Sequence, residues 1–112
     1  MMTAAEFRSL ALSFPESVEG SHFETTDFRV AGKIFATLRA SDGRAVLKLT
    51  PGQQRLFLET SQSVLQPVKG SWGEKGWTQV MLNGADGETV RHAMASAWKS
   101  VAPKTVVKRH GL

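Results

Sequence analysis

The chain has 112 residues, 41% of them hydrophobic and 21% charged, which are globular proportions and exclude a disordered tail or a fibrous repeat. Cysteine is absent, which removes disulfides, thiolate metal sites and a thiol nucleophile together, and no apolar run approaches the ~20 residues of a membrane span. Fourteen Lys and Arg against ten Asp and Glu give a net charge of +4, unevenly spread: residues 1–28 hold one base and five acids, residues 29–112 thirteen bases and five acids.

In chain order, the first element is a helix from Thr3 to Ser13. Thr3 and Glu6 have the spacing of a capping box, Phe7, Leu10, Ala11 and Phe14 form one apolar stripe, and Pro15 stops the helix. Short strands follow: a weak one over His22 to Thr25, then Phe28 to Val30, turning at Ala31-Gly32. Lys33 to Leu38 alternates, with Ile34, Ala36 and Leu38 on one face and Lys33, Phe35 and Thr37 on the other. Asp42-Gly43 is a hairpin signal, and Ala45 to Leu49 is the next strand, with Val46 and Lys48 on one face and Leu47 and Leu49 opposite. Connections this short require an antiparallel meander.

Thr50-Pro51-Gly52-Gln53 opens a second helix, with a capping Thr and Pro at the first helical position, ending near Glu59. Thr60 to Lys75 reads as a connection with at most one short strand, and Trp77 to Leu82 as a strand. Asp86 caps the third helix, whose apolar face is Val90, Ala93, Met94, Ala97, Trp98 and Val101; Pro103 ends it, and Lys104 to His110 adds a basic turn. The fold class is therefore α+β, an antiparallel β-sheet packed against helices in the order α-β(4)-α-β-α, within one domain over 1–112.

Residues with the patterns of catalysis are scarce. The three histidines, His22, His92 and His110, have no spacing suited to metal ligation; His92 reads as solvated. Glu19, Glu24 and Asp27 beside His22 are an acidic loop that would hold a hard cation only weakly. Glu16 and Glu19 read as turn carboxylates rather than an acid–base pair. No nucleophile–base pair and no phosphate-cradling glycine loop is present, because Gly70, Gly73 and Gly76 match neither pattern. The chain reads as non-enzymatic, without cofactor or metal, and the first residues lack a signal peptide, so the expected location is the cytoplasm of a bacterial-type cell.

The basic and aromatic residues carry more. Trp72 and Trp77 flank Lys75, with Lys69 just before, as in a groove where rings stack on bases and ammonium groups meet phosphates; the competing reading packs both indoles on the sheet. Lys33, Arg39, Arg44 and Lys48 lie on or beside two adjacent strands. If Lys33 and Lys48 share a face they form a basic stripe, with Asp42-Gly43-Arg44 and Gly70 to Gly76 as two wings; the competing reading is a sheet edge protected by lysines.

Several segments resemble one family. Leu12 to Glu19 is similar to the "LsLPgveE" opening of MmcQ/YjbR-like proteins, Val30 to Ala36 to their "v.gKiFa" strand, and Ala45 to Pro51 to their "l.lK..pe" passage from strand to helix. Trp72 to Thr78 and Ala97 to Lys104 resemble the closing segments of one branch. The resemblance implies a frataxin/CyaY-like sandwich of helices on an antiparallel sheet and a DNA-binding surface of double-wing type, with no established enzymatic activity. The first helix carries only Glu6, so the acidic ridge of an iron-delivering frataxin is missing. The expected partner is DNA, bound by phosphate contacts from Lys33, Arg39, Arg44, Lys48, Lys69, Lys75 and Lys104, with Trp72 stacking or wedging; about four such contacts to a duplex give a log–log salt slope of roughly −3.6. The alternative is a ligand-binding or protein-interaction module taking an anionic small molecule between sheet and helices near Trp72, Trp77, Lys33 and Lys48.

Overall fold

The computed structural model describes residues 1–22 and 25–111, apart from the side chain of His22. Its first helix, α1 (Ala4–Leu12), starts where the sequence places it: the Thr3 hydroxyl accepts from the Glu6 amide at 3.0 Å, and the Glu6 carboxylate accepts from the Thr3 amide at 2.9 Å. Phe7 and Ala11 face inward. Beyond the helix Phe14 packs between Phe35 and Trp98, ring centroids 6.4 and 6.3 Å away, and the Trp98 indole N–H donates to the Pro15 carbonyl at 3.0 Å.

Four strands follow, β1 (Ser17–His22), β2 (Thr25–Val30), β3 (Lys33–Arg39) and β4 (Arg44–Lys48). The weak strand expected over His22 to Thr25 falls partly on residues 23 and 24, which lie outside the described residues. The strand that pairs with β2 is instead β1, so Glu19 is a strand residue opposite Phe28 and not a turn carboxylate. Pairing to a neighbour outweighs the poor strand propensity of Ser17 to Ser21. The β2–β3 turn has positive φ at both Ala31 (52°) and Gly32 (80°), the condition for a two-residue hairpin whose twist matches its strands.

β4 leads to α2 (Pro51–Ser61), capped by Thr50 and Gln53 as expected and two residues longer than the sequence suggests. Then come β5 (Leu65–Pro67), the single turn α3 (Ser71–Glu74), β6 (Trp77–Met81), α4 (Gly87–Val101) capped by Asp86, and α5 (Lys104–Arg109). The six strands are antiparallel in the order β1-β2-β3-β4-β6-β5. Helices α1 and α4 pack on one face, burying Phe7, Phe28, Phe35, Leu47, Val80, Met94 and Trp98.

Register fixes what lies on the other face. Thr37 pairs with Val46 and Lys48 with Trp77, so these side chains share the side turned from the helices, together with Gln79. One correction bears on the site. Phe28 pairs with Ala36 but Arg29 pairs with Ile34, leaving Phe35 as an extra residue in β3. This β-bulge puts Phe35 and Ala36 both on the buried side, and they are both fully buried. Ile34 therefore joins Thr37 on the uncovered face, and Lys33, cross-strand partner of buried Val30, moves off it. Simple alternation predicts the reverse for both, because a slip of one residue inverts every side chain beyond it.

Candidate functional site

The uncovered face is shaped by the segment between β5 and β6. Sequence reasoning makes Gly70 to Gly76 a projecting wing; the structure docks it on the sheet. Gly73 lies so close to the strand that a Cβ there would sit 1.8 Å from the Val68 carbonyl oxygen, and one at Gly76, whose φ is +107°, 1.9 Å from that of Leu49. Only a residue without a side chain permits such approach. Buried Gln54 of α2 secures the segment from below: its amide nitrogen lies 3.1 Å from the Gly73 carbonyl, 3.2 Å from that of Trp77 and 3.0 Å from the Thr78 hydroxyl. Thr78 in turn donates to the Gly76 carbonyl at 2.9 Å.

This anchoring presents two indoles. Trp72 and Trp77 meet edge to face at 5.9 Å, and Trp72 remains 59% exposed. With Ile34, Thr37, Val46 and Val68 they line an open hollow of about 320 Å³. Cations stand over both rings: Lys75 Nζ lies 5.5 Å from the Trp72 centroid, and Lys48 Nζ 5.5 Å from the Trp77 centroid while donating to the Lys75 carbonyl at 3.1 Å. Lys69 is exposed in the same docked segment. At the other end of the face Arg39 and Arg44 are cross-strand partners. Arg44, Lys48, Lys69 and Lys75 form no ion pair with a described carboxylate, whereas Arg39 is held by Asp42 at 3.5 Å.

The structure thus brings together Lys48, Trp72 and Lys75, with Lys69 in the same connecting segment and Arg39 and Arg44 farther along the same face. It does not bring Lys33, turned away by the bulge, nor Lys104, which opens α5 outside the sheet. The tip at Asp42-Gly43-Arg44 is no free wing either: Ala40–Asp42 forms a 3-10 turn, and the Gly43 carbonyl accepts from the Leu82 amide at 3.1 Å. Two contributors escaped the sequence reading. Arg29 lies on this face over Asp27, whose fully buried carboxylate takes bonds of 2.9 and 3.3 Å and keeps the guanidinium charged. Gln54 gives no local signal, since a lone polar residue on a helix shows neither its burial nor its partners.

The acidic start of the chain neutralises part of its basic remainder. Arg8 pairs with Glu19 at 2.6 Å, and Arg109 and His110 both reach Glu16 at 2.8 Å. The His110 hydrogen bond first, and Arg109 beside it, hold the Glu16 carboxyl below the usual carboxylate range. In the suggested cation loop Glu24 and the His22 side chain lie outside the described residues, and Glu19 and Asp27 are engaged by arginines. Among the described residues no group of three or more metal-ligating side chains converges.

With this arrangement established, comparison adds the family. A family model named YjbR matches residues 12–100. The chain belongs to the YjbR family. It is similar in structure to a Deinococcus radiodurans protein carrying the family-model domain DUF419, with a TM-score of 0.77 over 100% of this chain and 90% of that one. At 23% identity that likeness shows the shared α+β fold alone. No curated protein matches the chain. Among the described residues no helix is long and apolar enough to cross a membrane.

Proposed function

We propose that the chain is a DNA-binding protein, non-enzymatic and cytoplasmic, that uses the uncovered face of its sheet. One observation carries the reading: Lys48 and Lys75 stand over a tryptophan pair whose Trp72 is exposed, with Arg44 farther along the same face and Lys69 in the adjoining segment, and no described carboxylate forms an ion pair with any of the four. Cations of this kind meet phosphates, and the rings meet bases. The role is one of binding, without metal, cofactor or catalytic step. The contact set differs from the sequence-based one by losing Lys33 and Lys104 and gaining Arg29.

The test is fluorescence anisotropy with a labelled oligonucleotide that has a duplex stem and a single-stranded tail, so that either form is offered. About four phosphate contacts give a log–log salt slope between roughly −2.8 and −3.6, which is a loss of about fiftyfold or more between about 50 and 200 mM salt. Absence of binding at the low salt, or binding indifferent to salt, refutes the reading.

The hollow supports a second reading, with the pocket on the uncovered face and not between sheet and helices where the sequence reading puts it. Its volume of about 320 Å³ and its apolar walls, with Lys48 and Lys75 at the rim, suit a small anion with an apolar body. A rise in melting temperature with micromolar aromatic carboxylate, and none with the oligonucleotide, favours it over DNA.

A further inference from the structure

Resting on the DNA-binding reading, we infer that the strand held on this face is unpaired, and that the hollow between Trp72 and the sheet receives one of its bases. Reading a duplex from its major groove takes an element that projects, a helix or a two-stranded ribbon entering a groove about 12 Å wide. Neither wing is available for that. The Gly70 to Gly76 segment is held against the ends of β5 and β4, by approaches to the Val68 and Leu49 carbonyls that leave no room for a Cβ at Gly73 or Gly76. The Ala40–Asp42 turn is folded back through the Gly43 carbonyl bond to Leu82. A flat face with a rigid aromatic step and cations on both sides instead matches the platform on which unpaired bases stack.

The charges are placed for this. Arg44 and Lys48 are four residues apart on one face of β4, hence about 13 Å along the strand. Lys48 stands over one indole and Lys75 over the other, so a strand laid across the pair meets a cation at each ring. The acid beneath does not oppose it, because the Asp27 carboxylate is fully buried under Arg29. Trp72 offers the ring at little entropic cost, since its loop is already held by Gln54 and the two glycines.

The experiment compares a labelled oligothymidylate of about a dozen nucleotides, a length of the order of one or two such platforms, with a blunt duplex of equal length. Both are measured by anisotropy and by tryptophan fluorescence at about 50 mM salt. The single strand binds at least about tenfold more tightly and quenches the emission. Trp72→Ala weakens it by roughly fivefold to a hundredfold, the range of one lost base–aromatic stack, and weakens duplex binding by a smaller factor. Trp72→Phe keeps most of the affinity, and thermal melts confirm that both variants are folded. A duplex bound as tightly as the single strand, or a folded Trp72→Ala that binds the single strand like the parent, overturns the inference while leaving DNA binding intact. Failure of both oligonucleotides to bind removes the DNA-binding reading as well.

Discussion

The two faces of the sheet arise from the same alternation along the same strands, but they deal with charge differently. Around the helix-covered side three sites pair bases with acids, Arg8 with Glu19, Arg91 with Glu88, and Arg109 and His110 with Glu16, while Arg55, Lys99, Lys104 and Lys108 on the helices form no ion pair with a described carboxylate. On the uncovered side Arg29 and Arg39 also find carboxylates, but Lys48 and Lys75 lie over tryptophan rings. A ring attracts a cation without cancelling its charge, so these lysines keep their capacity for an outside anion. Net charge alone would have missed the distinction, because what sets the uncovered side apart is the pair of rings beneath Lys48 and Lys75.

The comparison breaks most readily at the covered face. Trp98→Ala removes a fully buried ring and its bond to Pro15, and costs about 3 to 5 kcal/mol in urea unfolding. Next is the anchor of the uncovered face. Gly76→Ala forces a Cβ against the Leu49 carbonyl at a positive φ and destabilises by about 3 kcal/mol. Because it dislodges the Trp72 segment, it also lowers nucleic-acid affinity, which Trp98→Ala does not do while the protein stays folded. A Gly76→Ala variant as stable as the parent would show that the segment is not fixed as described.

Lys75→Ala is smaller in stability, about 0.5 to 1 kcal/mol or less for an exposed cation–π pair. It flattens the salt dependence of single-strand binding by about 0.7 in slope, one phosphate contact. The smallest effect is a pH slope on the covered side. The folded pKa of Glu16 is below its ordinary value of 4.5, so the stabilisation from His110 and Arg109 is fully present above that value and is lost as pH falls through the lower folded pKa. Glu16→Gln therefore loses less stability than the parent between neutral and strongly acid pH, as followed by urea midpoints. Equal acid sensitivity would show that the clip does not operate in solution.

Much of the frame was legible because its signals are local. Two capping boxes, Asp86 ahead of the apolar stripe of α4, and Pro15 and Pro103 at helix ends mark boundaries through contacts a few residues apart. The alternation in β4 holds, and the pairing of β4 with β6, which no local signal gives, then puts Lys48 and Trp77 on one side. The strand over Ser17–His22 was not legible, because its apolar content is one valine and its existence depends on β2. The site is half legible: sequence pattern groups Trp72, Lys75 and Lys48, but alternation adds Lys33 to them, and the bulge at Phe35 interrupts that alternation.

The amino-acid order alone determined α1, α2 and α4, the turn at Ala31-Gly32 and the strands β3, β4 and β6, since each rests on spacings of two to four residues, and it carries the lopsided charge. Tertiary structure decided which face carries the charge. Phe35 is drawn under Phe14 and out of strict alternation, Gly73 and Gly76 press their segment on the sheet, and Gln54 reaches it from another element. Apart from Gly73, which presses on Val68 five residues back, these join residues about 20 or more apart in the chain, where close packing rather than local preference sets the outcome.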